Sequence, residues 1–551
     1  MAVRIFFVLT FIIFTCSFPY IRAINNPNEN VRIYMTMAIV EEGTVCLDKI
    51  VARYGWVNDM ARVPAPSGND PNGRTNRPLR YFSVKAPAVS YAGVPIYWAL
   101  TKIAPLFSRP VPDDTTPLQE KSDWLRLSTL VLRLFVIQLP CFAFLIWLER
   151  WLRLVTRDTV LRLTAVAAAG LGTNYLAYSL MFVSHSLFAV AAFASFAITT
   201  REFVLRDAVV GNRSNARAAF FSGLFAGLAT LLEYHALPVS IALTIYAFCI
   251  FWKPIRLAYF IVGGGISVAI LMAYQWCAFN NPFTPGHRMV ESAAFAANHA
   301  RGLFGIVSPT FEPLFELSVN RTFGFFSTSP FMLLGLLAPA LAFALHQPLR
   351  GDQRRWATAV AVAGTAMLLL WLSVSAFPAW RGGWTIGPRY LGAAPIFFAF
   401  AAALGLEQLA RTSTSARTIA RGVAGGFALA GVANMGLVSL HYNTLPEDLI
   451  RPLVDFTIPL IEKGLVPRNA AQLLGISATC GFTMIVAALF LAGLVAACWR
   501  LGCNWRQWFT RILVAAIAAC IGLAPAFWPE SVSEARQSQA IRDGFEKGWN
   551  K

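Results

Sequence analysis

Asn26-Pro27-Asn28-Glu29-Asn30-Val31-Arg32-Ile33-Tyr34-Met35 opens the stretch whose reading decides the fold, the polar residues 25–87 between two apolar regions. Val31, Tyr34, Met35, Ala38 and Ile39 follow the i, i+3, i+4, i+7, i+8 spacing of one helical face. A helix of this kind beside apolar segments is expected to lie on a membrane surface. The stretch closes with Arg80-Tyr81-Phe82-Ser83-Val84-Lys85-Ala86-Pro87. That is a cationic approach to another apolar segment, with a proline suited to a helix's first turn. An anion would be well placed there.

Outside this stretch the chain reads as membrane. Of its 551 residues 56% are hydrophobic and 13% charged, against roughly 45–50% and about 25% in soluble domains. The net charge of +18 does not imply a nucleic-acid partner, because Arg and Lys fall in short clusters between apolar runs, the pattern that orients a membrane protein. Nine cysteines are scattered without metal-ligand spacing. No zinc site is expected; Cys46 and Cys277, both on the expected outer side, could pair. Arg4 followed by Ile5 to Pro19 reads as an uncleaved first span, rather than a signal peptide cut near Arg22-Ala23.

Hydropathy in windows of about 19 residues predicts spans near 5–22, 125–148, 160–182, 186–205, 218–233, 236–252, 257–278, 328–346, 356–376, 390–408, 419–440, 473–499 and 512–528. Residues 87–106 are long enough to cross but carry Pro95, Pro105 and a Tyr/Trp-rich middle. Loop charge decides. If 87–106 does not cross, every short basic cluster falls on one side: Arg150, Arg153, Arg157; Arg201, Arg206, Arg213, Arg217; Lys253, Arg256; Arg350, Arg354, Arg355; Arg411, Arg417, Arg421; and Arg500, Arg506, Arg511. That side is the cytoplasm.

The fold class is therefore an all-α polytopic membrane protein of about 13 transmembrane helices, with 87–106 as a re-entrant or interfacial helix and short juxtamembrane helices on the extracytoplasmic loops. The amino terminus is expected inside and the carboxyl terminus outside a bacterial inner membrane. Residues 1–440, including the first loop 23–124, form the expected catalytic region. Residues 441–551 supply an outer loop, two last spans and a polar tail.

Several side chains have chemistry suited to an outer-face site. Glu29 offers a carboxylate that could take a proton from an acceptor hydroxyl; alternatively, with Asn26 as N-cap and Pro27 first in the helix, it closes a capping box. Arg32 could meet an anion or pair with Glu29 along the helix. Lys85 precedes a helix N-terminus, where free N–H groups favour phosphate, with Arg80 and Tyr81 on the same approach; an anchoring lysine at the interface is the plainer alternative. Glu233, followed by Tyr234 and His235, ends one short span and faces the next, a costly place for charge unless it is partnered. His185 lies in a tight external turn. Trp380 to Tyr390 form a Gly-rich, aromatic and basic loop in which Arg389 could grip phosphate in two places, or serve with an aromatic belt as an anchor. Asn320-Arg321-Thr322 is a formal glycosylation sequon. No phosphate-cradling loop or dinucleotide fingerprint is present.

In the order of these motifs the chain resembles the GT-C superfamily of polytopic glycosyltransferases, in the branch of protein O-mannosyltransferases and bacterial lipid A aminoarabinose transferases. Glu29-Asn30-Val31-Arg32-Ile33 looks like that branch's first-loop Asp-Glu-x-Arg-Tyr motif. Glu29 then stands for the catalytic aspartate and Asn30 for the second acid. Phe82 to Pro87 looks like its Lys-Pro-Pro segment, with Ala86 replacing one proline and Lys85 as the lysine associated with donor phosphate. Gly227-Leu228-Ala229 through Glu233 and Tyr234, and Gly387-Pro388-Arg389-Tyr390, look like two later motifs. His185 stands where the family often has an aspartate, which speaks against metal-assisted chemistry.

The resemblance implies an inverting transfer of a sugar from a polyprenyl-phosphate donor to a hydroxyl of a glycan, lipid or protein of the cell envelope. It implies Glu29 as base, Lys85, Arg389 and Arg80 on the phosphate, and Arg32, Tyr81, His185, Glu233, Tyr234 and Tyr390 around the substrates. No cofactor is implied, with divalent metal left open. A multi-span transporter or lipid carrier, and a lipid-linked glycan ligase or polymerase, are the alternatives; inverted repeats, which transporters often carry, are not found.

Overall fold

Side-chain capping starts the first extramembrane helix where the sequence says it should. Asn26 Oδ1 accepts from the backbone N–H groups of Asn28 and Glu29, and Pro27 opens α2, Pro27–Glu42. The structure is a computed structural model and describes residues 1–21, 26–64, 79–205, 212–302, 305–345, 352–499 and 504–549. The expected cleavage point at Arg22-Ala23 and the cluster members Arg206, Arg350 and Arg500 lie outside these residues, and the side chain of Arg213 is likewise not described.

Among the described residues seven helices are long and apolar enough to cross a membrane: Leu118–Leu152, His185–Val204, Pro254–Phe279, Gln353–Ser375, Thr414–His441, Ala478–Cys498 and Trp505–Phe527. Six shorter apolar helices, α1 among them at Ala2–Cys16, coincide with the other expected spans. Their 10–17 residues lie at or below the lower edge of the about 17–25 of a straight crossing, so by length and composition seven segments stand as spans among the described residues. Two expected spans are interrupted in ways that matter for the site. The helix Thr159–Leu171 stops at Gly172, where an added Cβ would lie 3.0 Å from Val432 N. A short helix, Asn174–Ser179, then leads to the turn before His185. Glu233 sits in extended backbone between Asn212–Leu232 and the helix that runs to Ile250.

The first loop folds into the body rather than resting on a membrane surface. Every residue of α2 from Asn28 to Ala38 is buried, which corrects the expectation of a one-faced interfacial helix with Glu29 in external water. After α3, Asp48–Tyr54, strands β1, Met60–Pro64, and β2, Leu79–Ser83, pair antiparallel with Met60 opposite Ser83. This hairpin departs from the all-α expectation. Residues 88–103 form α4, which lies against α2 and is not among the apolar helices of spanning character. The two helices cross at Gly93, where a Cβ would lie 3.0 Å from both the Phe182 ring and Thr36 Oγ1. Ser90 Oγ donates to Arg32 O and Thr36 Oγ1 to Ser90 O, each at 3.0 Å, fixing the crossing.

The loops at this end have a core of their own. Tyr178, Met181, Val183, Ile386, Tyr442, Leu449, Phe456 and Phe545 form a hydrophobic cluster separate from the main one. The expected polar tail is a helix, Val532–Trp549, which adds Phe545 to that cluster and stacks Trp549 on His441 at 5.0 Å. Cys46 and Cys277 are free thiols.

Candidate active site

The two breaks and the first loop converge at one end of the bundle. Helix directions define that end: His185 starts the helix that finishes near Arg201, and Leu232 ends the one that begins beyond Arg217. The converging residues therefore lie opposite these basic helix ends.

Glu29 is 2% exposed and both its oxygens are taken. Arg133 grips it in two places, Nε to Oε1 at 2.6 Å and Nη2 to Oε2 at 2.5 Å, while the Phe182 backbone N–H donates to Oε1 at 2.6 Å. The Arg133 guanidinium also lies over the Phe18 ring, 4.9 Å from its centroid. The carboxylate does not turn back to close the capping box, and Arg32 does not pair with it. In this arrangement Glu29 pins the turn preceding His185.

Arg32, one turn further along α2, is also buried. Its Nη1 donates to Asn28 O and Oδ1, and its Nη2 to Ser184 Oγ at 2.9 Å. Ser184 Oγ in turn donates to Glu233 Oε2 at 2.8 Å, and His185 Nδ1 stands 3.2 Å from the same oxygen. Burial alone would favour the neutral acid at Glu233, but the imidazoles of His185 and His235 and the Arg32 charge outweigh it and hold the carboxyl below its ordinary range. Glu233 thus has the partners its placement demands.

Rings connect this group to the rest. His185 packs on Tyr178 at 4.8 Å, His235 on Tyr390 at 4.2 Å and on Phe377 at 5.2 Å. Phe377 stacks on His299 at 5.2 Å, His299 on His287 at 4.7 Å and His287 on Tyr234 at 5.7 Å. Four of the chain's six histidines meet here. Burial, then the Lys85 charge, lowers His299 below the usual imidazole range against the pull of Asp59, so the ring is neutral at neutral pH. Burial likewise pushes the Tyr178 hydroxyl up to about 12.

Arg389 makes a single side-chain hydrogen bond among the described residues. Its Nη2 donates to Tyr390 Oη at 3.3 Å, while its buried Nε has no hydrogen-bond partner among the described residues. Burial opposes its charge, but the oxygens of Tyr390 and Tyr178 and the Asp59 carboxylate outweigh this and hold its pKa above the ordinary arginine range. One glycine of this loop makes room for the guanidinium: Gly382 has φ +82°, and a Cβ there would come within 2.6 Å of Arg389 Nε.

Lys85 pairs with Asp59, Nζ to Oδ1 at 3.0 Å. Asp59 ends the segment entering β1, and Val84 N–H donates to its carbonyl at 3.3 Å. The carboxylate also acts on the charges of Arg32, Arg389 and His299, so it belongs to the same group.

Of the residues expected from sequence, Arg32, Lys85, His185, Glu233, Tyr234, Arg389 and Tyr390 come together. Glu29 stands one turn away in its own ion pair. Arg80 and Tyr81 do not join: Arg80 is exposed on β2, and Tyr81 Oη turns to Glu291 at 3.5 Å. Sequence reasoning passed over Asp59, Arg133, His287, His299 and Phe377; the scarcity of histidine in an apolar chain was the signal for two of them. Among the described residues no three His, Cys, Asp or Glu side chains converge as a metal site would require.

No protein-family model and no curated protein sequence matches this chain. Among solved structures, the chain is similar to ArnT from Cupriavidus metallidurans bound to undecaprenyl phosphate, with 14% identity over 98% of this chain and 88% of that one and a TM-score of 0.40. It is also similar to the Archaeoglobus fulgidus oligosaccharyltransferase in its apo form, with 12% identity over 93% of this chain and 68% of that one and a TM-score of 0.37. These are likenesses of low score, and the functional reading rests on this chain's own residues.

Proposed function

We propose that this chain is an integral membrane glycosyltransferase that moves a sugar from a polyprenyl-phosphate donor to a hydroxyl of an extracytoplasmic glycan, lipid or protein. The observation that carries the reading is the Asp59–Lys85 pair, 3.0 Å apart, set in one group with Arg389 and Arg32. The order of motifs resembling the GT-C superfamily agrees with it. The apolar bundle suits the donor's tail, and the basic helix ends opposite the site suit a cytoplasmic face.

Charge supports a phosphate. Arg32, Lys85 and Arg389 face Asp59 and Glu233, leaving one positive charge in surplus before any histidine is protonated. A glycosyl phosphodiester carries a single negative charge, and the phosphate that leaves gains another. Fixed cations act most strongly on charge that develops during the step.

Donor phosphate would draw Lys85 away from Asp59 and free the carboxylate. Asp59 then takes the acceptor hydroxyl's proton as that oxygen bonds to the anomeric carbon. The bond from that carbon to the phosphate oxygen breaks, and the electron pair leaves with polyprenyl phosphate beside Arg389 and Lys85. A single displacement inverts the anomeric centre. Asp59 takes the role that the motif order gave to Glu29, because Glu29 is buried and held by three hydrogen bonds from Arg133 and Phe182, whereas Asp59 is partly exposed with one ion pair to release.

The test is transfer by the purified chain in lipid, with a labelled polyprenyl-phosphate sugar and a hydroxyl acceptor. Label moving to the acceptor in wild type, and lost with Asp59→Asn, supports the reading; no transfer from any such donor, or full transfer by Asp59→Asn, overturns it.

A further inference from the structure

The helices His185–Val204 and Asn212–Leu232 leave the candidate site side by side. Arg201 lies sixteen residues beyond His185 and Arg217 sixteen before Glu233. At about 1.5 Å per residue this carries both about 24 Å from the site, to one depth at the other end of the bundle. Between the two helices there is a groove of about 560 Å³, lined by Ile198, Arg201, Glu202, Arg217, Phe221 and Phe225.

The groove is amphiphilic along its length. Arg217, Phe221 and Phe225 recur at i, i+4, i+8 and form one stripe of their helix. Ile198 and Arg201, at i, i+3, form the facing one. On each helix the cation sits toward the helix end and the apolar side chains run deeper. Phe221 is 47% exposed, a large ring with one side uncovered. Neither the Arg201 nor the Arg217 side chain has a hydrogen bond or salt bridge among the described residues, and the nearby Glu202 divides its attraction between Arg201 and Arg256. The groove therefore keeps net positive charge over an apolar floor.

We propose that this groove holds an anionic phospholipid of the leaflet at the basic end, with its phosphate between Arg201 and Arg217 and an acyl chain along Ile198, Phe221 and Phe225. Charge complementarity selects the occupant: an anionic headgroup meets two guanidiniums set against the single carboxylate of Glu202, whereas the ammonium of a zwitterionic one is repelled. The apolar floor distinguishes a lipid from a free anion. This inference is independent of the reaction proposed above.

The full chain, delipidated in detergent, would be titrated with phosphatidylglycerol, phosphatidylcholine and inorganic phosphate while thermal unfolding and lipid adducts in native mass spectrometry are followed. Phosphatidylglycerol should raise the unfolding temperature and bind about tenfold more tightly than phosphatidylcholine, and phosphate should have no effect. Arg201→Gln/Arg217→Gln should erase the preference. Ile198→Trp, which fills the groove without changing its charge, should weaken phosphatidylglycerol as well. Equal binding of the two lipids by wild type, a response to phosphate alone, or an unchanged preference in both variants would overturn the proposal; the wild-type comparison decides even if a variant fails to fold.

Discussion

Lys85 Nζ lies 3.0 Å from Asp59 Oδ1, so the cation and carboxylate that a phosphate-leaving transfer requires come from the two sides of one hairpin. Because Lys85 has two claimants, substrate phosphate and Asp59, donor binding and base release are coupled. Asp59→Asn should lower transfer by about 10²- to 10⁴-fold, the usual worth of a positioned base. Donor KM should stay level or fall, since the lysine is no longer shared. Steady-state kinetics with varied donor would show this, and a rise in donor KM with kcat intact would count against it.

The phosphate cations should separate by geometry. Lys85→Ala and Arg389→Ala each remove a charged hydrogen-bond donor, worth about 1.5–3 kcal/mol, and should weaken donor binding by about ten- to a hundredfold. Arg389→Lys should recover only part of this, because an ammonium lacks the planar fork. Binding of a non-reactive donor analogue is the appropriate measurement.

Glu29 and Arg133 should prove structural partners. Breaking a buried ion pair costs about 3–5 kcal/mol, whereas replacing both members with apolar residues is milder. Glu29→Gln and Arg133→Gln should each lower thermal stability clearly, and Glu29→Leu/Arg133→Leu less than either. A Glu29→Gln protein with wild-type unfolding temperature and no transfer would return the base role to Glu29.

Gly382→Ala meets two obstacles, a φ of +82° and a new Cβ 2.6 Å from Arg389 Nε. The guanidinium must move, so the variant should reproduce the donor-binding defect of Arg389→Ala while keeping most of its stability. Normal donor affinity in a folded Gly382→Ala protein would show that Arg389 is not held by this loop.

His299 supplies a pH dependence of defined sign. Its folded pKa is depressed, first by burial and then by Lys85, so below the ordinary imidazole value near 6.5 the unfolded chain binds a proton that the folded one resists. Stability from this ring is complete above that pH and falls as pH drops toward the folded value. His299→Gln should flatten unfolding temperature against pH over that window; an unchanged slope would assign it to other groups.

The sequence by itself determined where the long apolar helices lie and where α2 begins. Apolar runs near twenty residues marked the seven long spans, and Asn26-Pro27 fixed the start of α2, because helix formation and capping are settled by neighbours a few residues away. The chemistry-bearing positions Lys85, His185, Glu233 and Arg389 were legible for a related reason: polar side chains at the ends of apolar segments stand out.

Only tertiary structure decided which charges meet. The period of α2 promised one buried face, but α3, α4, β2 and the turn before His185 pack around it, and Glu29 meets Arg133 from more than a hundred residues away. Asp59 reaches Lys85 because the β1–β2 register sets Met60 opposite Ser83, and slipping a strand by one residue sends its side chains to the other face. Local pattern cannot carry that information, since each such partnership is fixed by packing between segments remote in the chain.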